Sequence, residues 1–138
     1  MATLAGRTLR TVLTSFSAIT DIVGPRIQEA PAEEMDVRLG AITYAATGGG
    51  QKGPAAGNTR GLLPYQRGEF MIRCWSKTSE EATTLYSVVY ESLTGVGRHS
   101  ISGVSVSAFQ QLGGETIYND PDDGTPAVQA VFSFEVKT

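Results

Sequence analysis

His99, Cys74, the acidic trio Asp120, Asp122 and Asp123, and the run Gly48-Gly49-Gly50 with Lys52 are the residues whose types and spacing would permit chemistry. His99 stands in GVGRHSISG, and the serine two positions on makes no nucleophile pair, because a triad is assembled in space rather than along the chain. A solvated loop histidine is expected. Cys74 shares an alternating apolar face with Phe70 and Ile72, which suits a buried thiol behaving as a small hydrophobe. A reactive cysteine would want a basic, partly open setting, and only Arg73 adjoins it. One cysteine excludes an internal disulfide and a multi-cysteine zinc site, and one histidine excludes paired imidazole ligands. The three aspartates have close spacing that suits a hard cation, but they lack the spaced ligands and terminal Glu of a calcium loop, and Pro121 and Gly124 account for the segment as a turn. A phosphate loop needs a helix to open at its lysine, and Lys52 is followed by Gly53-Pro54. The chain is therefore expected to be no enzyme and to carry no catalytic, cofactor-binding or metal-ligating residue.

Binding is the remaining chemistry. Lys52, Arg60, Arg67, Arg73 and Lys77 make the middle of the chain locally basic, whereas the whole carries 14 acidic and 11 basic residues, a net charge of −3. That balance excludes a dedicated DNA-coating protein. No aromatic interleaving of the kind that stacks bases accompanies the basic residues. They form either a solvated margin or a contact for an acidic partner, with nucleic acid touched only in passing. Met71 and Trp75 flank Arg73 on one face of the same segment. Since interface cores are enriched in Trp, Met and Arg, the interaction candidates are Lys52, Arg60, Arg67, Met71, Arg73 and Trp75. The competing reading has the closing strands fold over Trp75 within the chain.

These residues need elements to position them. A length of 138 residues fits one domain, 1–138, and an apolar content of 41% fits a globular one. Leu9, Val12, Leu13, Phe16 and Ile19 predict a helix over 4–19, stopped by Gly24-Pro25. Residues 26–36 are acidic and Pro-interrupted, an exposed connection, and 37–45 read as a strand. Residues 47–61 hold six glycines, one proline and no large apolar side chain, which predicts a long flexible loop serving as an arm or a passive insertion. A strand alternates through 69–75. Thr78-Ser79-Glu80-Glu81 is a capping box, opening a helix with Ala82, Leu85, Tyr86, Val89 and Leu93 on one face and a stop at Gly95. One strand is expected over 101–112, then a hairpin of 115–118 with 127–137 around the turn Pro121-Asp122-Asp123-Gly124. The fold class expected is α+β, a mostly antiparallel sheet of about four or five strands with two helices packed on one face. Arg7 and Arg10 interrupt the first apolar stretch and no run approaches 18 apolar residues, so neither a signal peptide nor a membrane span is expected.

The order of elements and some of their wording resemble the tail-completion or tail-terminator proteins of long-tailed bacteriophages. The likeness is carried by the helix Leu9 to Ile19, by Asp21-Ile22-Val23-Gly24-Pro25-Arg26-Ile27, by the strand-helix unit Gly68 to Ala82, and by the close Val131-Phe132-Ser133-Phe134-Glu135-Val136. It covers most of the chain as pattern and length; no single motif in it is diagnostic. The glycine-rich stretch is a departure, since a shorter connection would be commoner in that family. The resemblance implies a small subunit of a ring, usually a hexamer, at the head-proximal end of the tail tube. Such a ring ends tube polymerisation and offers a docking face to the head connector. Its partners would be further copies of itself, the tail-tube protein and the head-tail connector or stopper protein, with genomic DNA only in transit through the lumen and no membrane. Its place would be the tail or neck of a virion assembled in the bacterial host cytoplasm. An acidic or neutral lumen would let DNA slide, in keeping with the chain's net charge. The alternatives are a head-side connector or stopper of the neck, a minor tail-tube subunit, and a small α+β ligand-binding or hydrolase domain.

Overall fold

The structure is a computed structural model and describes residues 4–30, 36–52 and 65–137. The first apolar stripe folds as two helices where one is expected. Helix α1 (Leu4–Ser15) buries Ala5, Thr8, Leu9, Val12 and Leu13, and helix α2 (Ser17–Val23) begins after Phe16, whose backbone is extended. The cause lies in the hydroxyls ahead of the break. Thr11 donates to the Arg7 carbonyl at 3.0 Å, Thr14 to Thr11 at 3.0 Å and Ser15 to Val12 at 2.6 Å. Side chains that bond the preceding turn favour bending and compete with the helix. The Phe16 carbonyl then accepts the amides of Ile19 and Thr20, starting a turn that directs Ile19 and Val23 into the core. Gly24, at φ +57°, ends α2 where Gly24-Pro25 predicts an end.

The segment expected as a bare connection contributes strand β1 (Ile27–Glu29), which pairs in parallel with β2 (Ala41–Lys52). Val37–Leu39 is a 3-10 turn instead of the start of that strand. Asp36 accepts the Arg38 amide at 3.0 Å, and Gly40 at φ +94° turns the chain into β2. Residues 47–52, expected in the flexible loop, continue β2 and pair with β3 (Tyr65–Trp75) as far as Lys52 opposite Tyr65, past a register shift between Ala46 and Gly48. The rest of the expected loop lies outside the described residues. In β2 this stretch pairs through its backbone, which is why a lack of apolar side chains did not prevent it from being a strand.

Helix α3 (Ser79–Thr94) starts where the capping box predicts, with the Thr78 half of the box formed as expected and the Glu81 carboxylate on a hydroxyl. The Thr78 hydroxyl accepts the Glu81 amide at 3.1 Å, while the Glu81 carboxylate accepts from the Ser76 hydroxyl. The expected strand over 101–112 is broken by a turn at Ser102-Gly103, both at positive φ, so that β4 (His99–Ile101) and β5 (Val104–Val106) form a small hairpin. Strand β6 (Gln110–Asn119) runs longer than expected and pairs with β7 (Pro126–Lys137) across the predicted turn. Strand β7 pairs along its whole length with β3, and its other edge is divided between β6 at Pro126–Ser133 and β5 at Val136–Lys137.

The α+β class therefore stands, with a larger and mixed sheet. Among the described residues it has seven strands in the order β1-β2-β3-β7-β5-β4, with β6 also on β7, and three α-helices. The parallel β1–β2 pair makes it mixed. The helices lie on one face and share one core with Ile42, Tyr44, Phe70, Ile72, Cys74, Phe132 and Phe134. Gly68 is needed where α1 crosses β3. A Cβ there would sit 2.8 Å from the Phe70 ring and 3.1 Å from Ala5, so the helix approaches the sheet only because the side chain is missing. Among the described residues no second helix layer covers the face of the sheet opposite the helices.

Candidate assembly surfaces

On β3, Phe70, Ile72 and Cys74 point to the helices, and Arg67, Glu69, Met71, Arg73 and Trp75 alternate onto the other face. Arg67, Met71 and Arg73 are half-buried there. Their charge is largely answered within the chain. Arg67 lies 3.4 Å from the Glu69 carboxylate, while Arg73 donates to Gln129 at 2.7 Å and stacks its guanidinium 4.0 Å from the centre of the Tyr118 ring. Lys52 closes β2, with only its backbone described, and Arg60 lies outside the described residues. The six candidates thus do not form one open basic stripe among the described residues.

Trp75 requires a correction. It is 6% exposed, packed edge-on against Tyr118 and between Ala41 and Ala127, and its indole N–H donates to the Thr43 hydroxyl at 2.9 Å. The start of β7, the end of β6 and the 3-10 turn at Val37 close over it, which is the competing reading weighed from sequence. Alternation placed it on the correct face. It could not show that Tyr118 and Val37, distant in sequence, return to cover it.

The residues considered for catalysis are separated from one another. Cys74 is fully buried, and burial pushes its thiol well above the ordinary 9.0, which makes it inert at neutral pH. His99 lies on β4 with Nδ1 2.9 Å from the Gly97 carbonyl. Asp120 and Asp123 cap their own turn, accepting the amides of Asp122 at 2.8 Å and Thr125 at 2.9 Å. The second of these bonds holds the Asp123 carboxyl below its ordinary value. Among the described residues no group of three His, Cys, Asp or Glu could hold a metal ion, and no helix is long and apolar enough to cross a membrane.

Two surfaces were not anticipated. A groove of about 440 Å³ runs between α3 and β6, lined by Tyr86, Tyr90, Glu91, Gln111, Glu115 and Ile117. The Tyr86 hydroxyl donates a short hydrogen bond to Gln111. Burial, reinforced by the Glu115 charge, pushes its phenol up to about 12, so it remains a neutral donor. The groove presents phenols, hydroxyls, amides and carboxylates beside the apolar Ile117 and Val128. The second surface is a depression of about 360 Å³ on the other flank of α3, where Ile22 and Leu39 stand beside Arg38, Glu80 and Glu81. It is rigidly held, since Arg26 donates to the carbonyls of Gly40 at 2.7 Å, Leu39 at 2.9 Å and Ile22 at 3.5 Å. Tyr86 and Tyr90, four apart on one helix face, are the local signal that could have pointed to the first surface. Nothing local signalled the second.

The chain matches no protein-family model and no curated protein sequence. Among solved structures it is similar, over 92% of its own length and 90% of the other chain, to a chain from the virion of a native gene transfer agent particle, with a TM-score of 0.66 and 13% sequence identity. At that identity the likeness is one of fold.

Proposed function

We propose that this chain is a structural virion protein: a subunit of an oligomeric ring, hexameric by analogy with the family it resembles, that caps the head-proximal end of a phage tail tube and receives the head connector. The observation that carries this reading is the fold shared over 92% of the chain with a virion component. The small α+β subunit, exposed along most of β6, is in keeping with a protein whose remaining burial is supplied by neighbours. Its partners in this reading are copies of itself, the tail-tube protein and the connector, with DNA passing through the lumen, and it needs no cofactor or catalytic residue.

The experiment is to purify the chain, determine its mass in solution and image it, then add it to polymerising tail-tube protein from the same particle. Discrete rings that bind tube ends and shorten the tubes are expected. Rings that bind the portal side and leave tube length unchanged would make the protein a neck stopper, and co-polymerisation along the tube would make it a tube subunit. A stable monomer with no affinity for either structure would overturn the reading.

A further inference from the structure

Five large apolar residues among those described are more than a third exposed: Ile22 at 38%, Leu39 at 61%, Tyr90 at 41%, Leu112 at 37% and Ile117 at 56%. Four of the five gather on two surfaces. Tyr90 and Ile117 line the α3–β6 groove, and Ile22 and Leu39 line the depression where α2 and the 3-10 turn meet α3. The surfaces use different flanks of α3, one through Thr83, Tyr86 and Tyr90, the other through Glu80, Thr84 and Leu85, so one side of a single subunit cannot cover the other.

The sheet explains why the groove exists. Ile117 pairs with Val128, placing both side chains on the helix-bearing face. Val128 is 2% exposed beneath α3, while Ile117, one strand further out, is 56% exposed. The helix layer ends before the sheet does. On the other flank the layer ends in α2, a two-turn helix with Ile22 facing outward. An α2 edge laid over β6 would continue the helix layer across the open strand.

The charges agree with this placement. Glu91 and Glu115 line the groove with no cation beside them in its wall. Arg38, next to Leu39, has a side chain 59% exposed and, among the described residues, a loose contact of 3.8 Å with Asp123. Glu81, on the α3 wall of the depression, is already engaged by Ser76.

We propose that the α3–β6 groove is the docking site for a second copy of this chain, which presents Ile22, Arg38 and Leu39 from its α2 edge. Because the two faces differ, the contact is heterologous. Repeated from subunit to subunit it closes into a ring where the rotation permits, and otherwise runs on as an open filament. The inference rests on the ring reading above and names the surfaces that make the ring.

Two single-cysteine exchanges test it, on a chain whose only native thiol is buried. Tagged Leu39→Cys chains are mixed with untagged Ile117→Cys chains and oxidised mildly. The expected product is a mixed covalent dimer, with neither variant cross-linking when oxidised alone. Rings that assemble without forming the mixed dimer overturn this interface and leave the ring reading standing. Ile117→Cys chains that link to each other replace it with a two-fold pairing of grooves. A chain that remains monomeric at every concentration overturns both. As a second measurement, Arg38→Glu is expected to weaken self-association at least tenfold at low salt, and unchanged association overturns the pairing with Glu91 and Glu115.

Discussion

Cys74 shows how burial sets a residue's chemistry. Its thiol keeps its proton in the folded chain at a pH where the unfolded chain releases it, because burial disfavours the thiolate. The folded state then binds more protons than the unfolded state, so stability falls as pH rises. The contribution is intact below 9.0 and is lost above it at about 1.4 kcal/mol per pH unit. Tyr86 adds a loss in the same direction between 10.0 and about 12. Urea titrations from pH 7 to 11 should show this decline, and Cys74→Ala should remove the part that begins near 9. Trp75 and Gly68 supply two further tests. Trp75 is the only tryptophan, so fluorescence reports its cluster directly. Trp75→Ala is expected to cost about 3–5 kcal/mol in urea unfolding, and wild-type emission should not shift on assembly; a shift would put Trp75 in the interface. Gly68→Ala should cost about 1–3 kcal/mol, because its methyl meets Phe70, Ala5 and Phe134, all packed in the core. A neutral Gly68→Ala would mean that α1 lifts off the sheet without strain.

The elements legible in sequence were those whose signals are local. Helix α3 carries its start in Thr78 and its face in Ala82, Leu85, Val89 and Leu93, and β7 carries strict alternation from Val128 to Val136. Where the fold departs from the reading, the deciding interaction comes from elsewhere in the chain. Three residues of β1 become a strand only because β2 lies beside them. The Gly48–Lys52 backbone is strand because β3 pairs with it. The missed break at Phe16 was legible in principle, from the hydroxyls of Thr11, Thr14 and Ser15, but the apolar stripe running across it masked the signal. The candidate site was less legible than the fold. Sequence placed Met71 and Arg73 on the correct face, but it could not distinguish Trp75 sealed under Tyr118 from Ile117 left in the open. Exposure depends on where the helix layer stops, and no local pattern encodes that. The α3 cap provides the test at this scale. Thr78→Ala should lower stability by about 1 kcal/mol, and Thr78→Ser should restore most of it. A loss several times larger would show the hydroxyl to have a role beyond Glu81.

At the scale of the whole molecule, the sheet is securely held in its middle and weakly at one side. Strand β7 pairs with β3 from end to end and carries the core aromatics. Among the described residues strand β6 is joined only to β7; it shifts register between Leu112 and Thr116, has Gly113 at φ +80° in that shift, and is exposed along most of its length. An unpaired strand edge of this kind invites another chain, and natural proteins protect such edges with bulges and charges or cover them. Here the bulge is present, and Glu115 beside it is a charge that blocks edge pairing with copies of itself while attracting a cation. The open side is thus shaped against two-fold sheet extension and suited to a contact with an unlike face. Local stability should follow the same division. In dilute protein the amides of 112–117 should exchange with deuterium well before those of 68–74 and 128–134. In assembled protein they should slow at least tenfold, while the central strands, already protected, should change little. Equal exchange of 112–117 in the two states would remove β6 from the assembly surface, even if rings form.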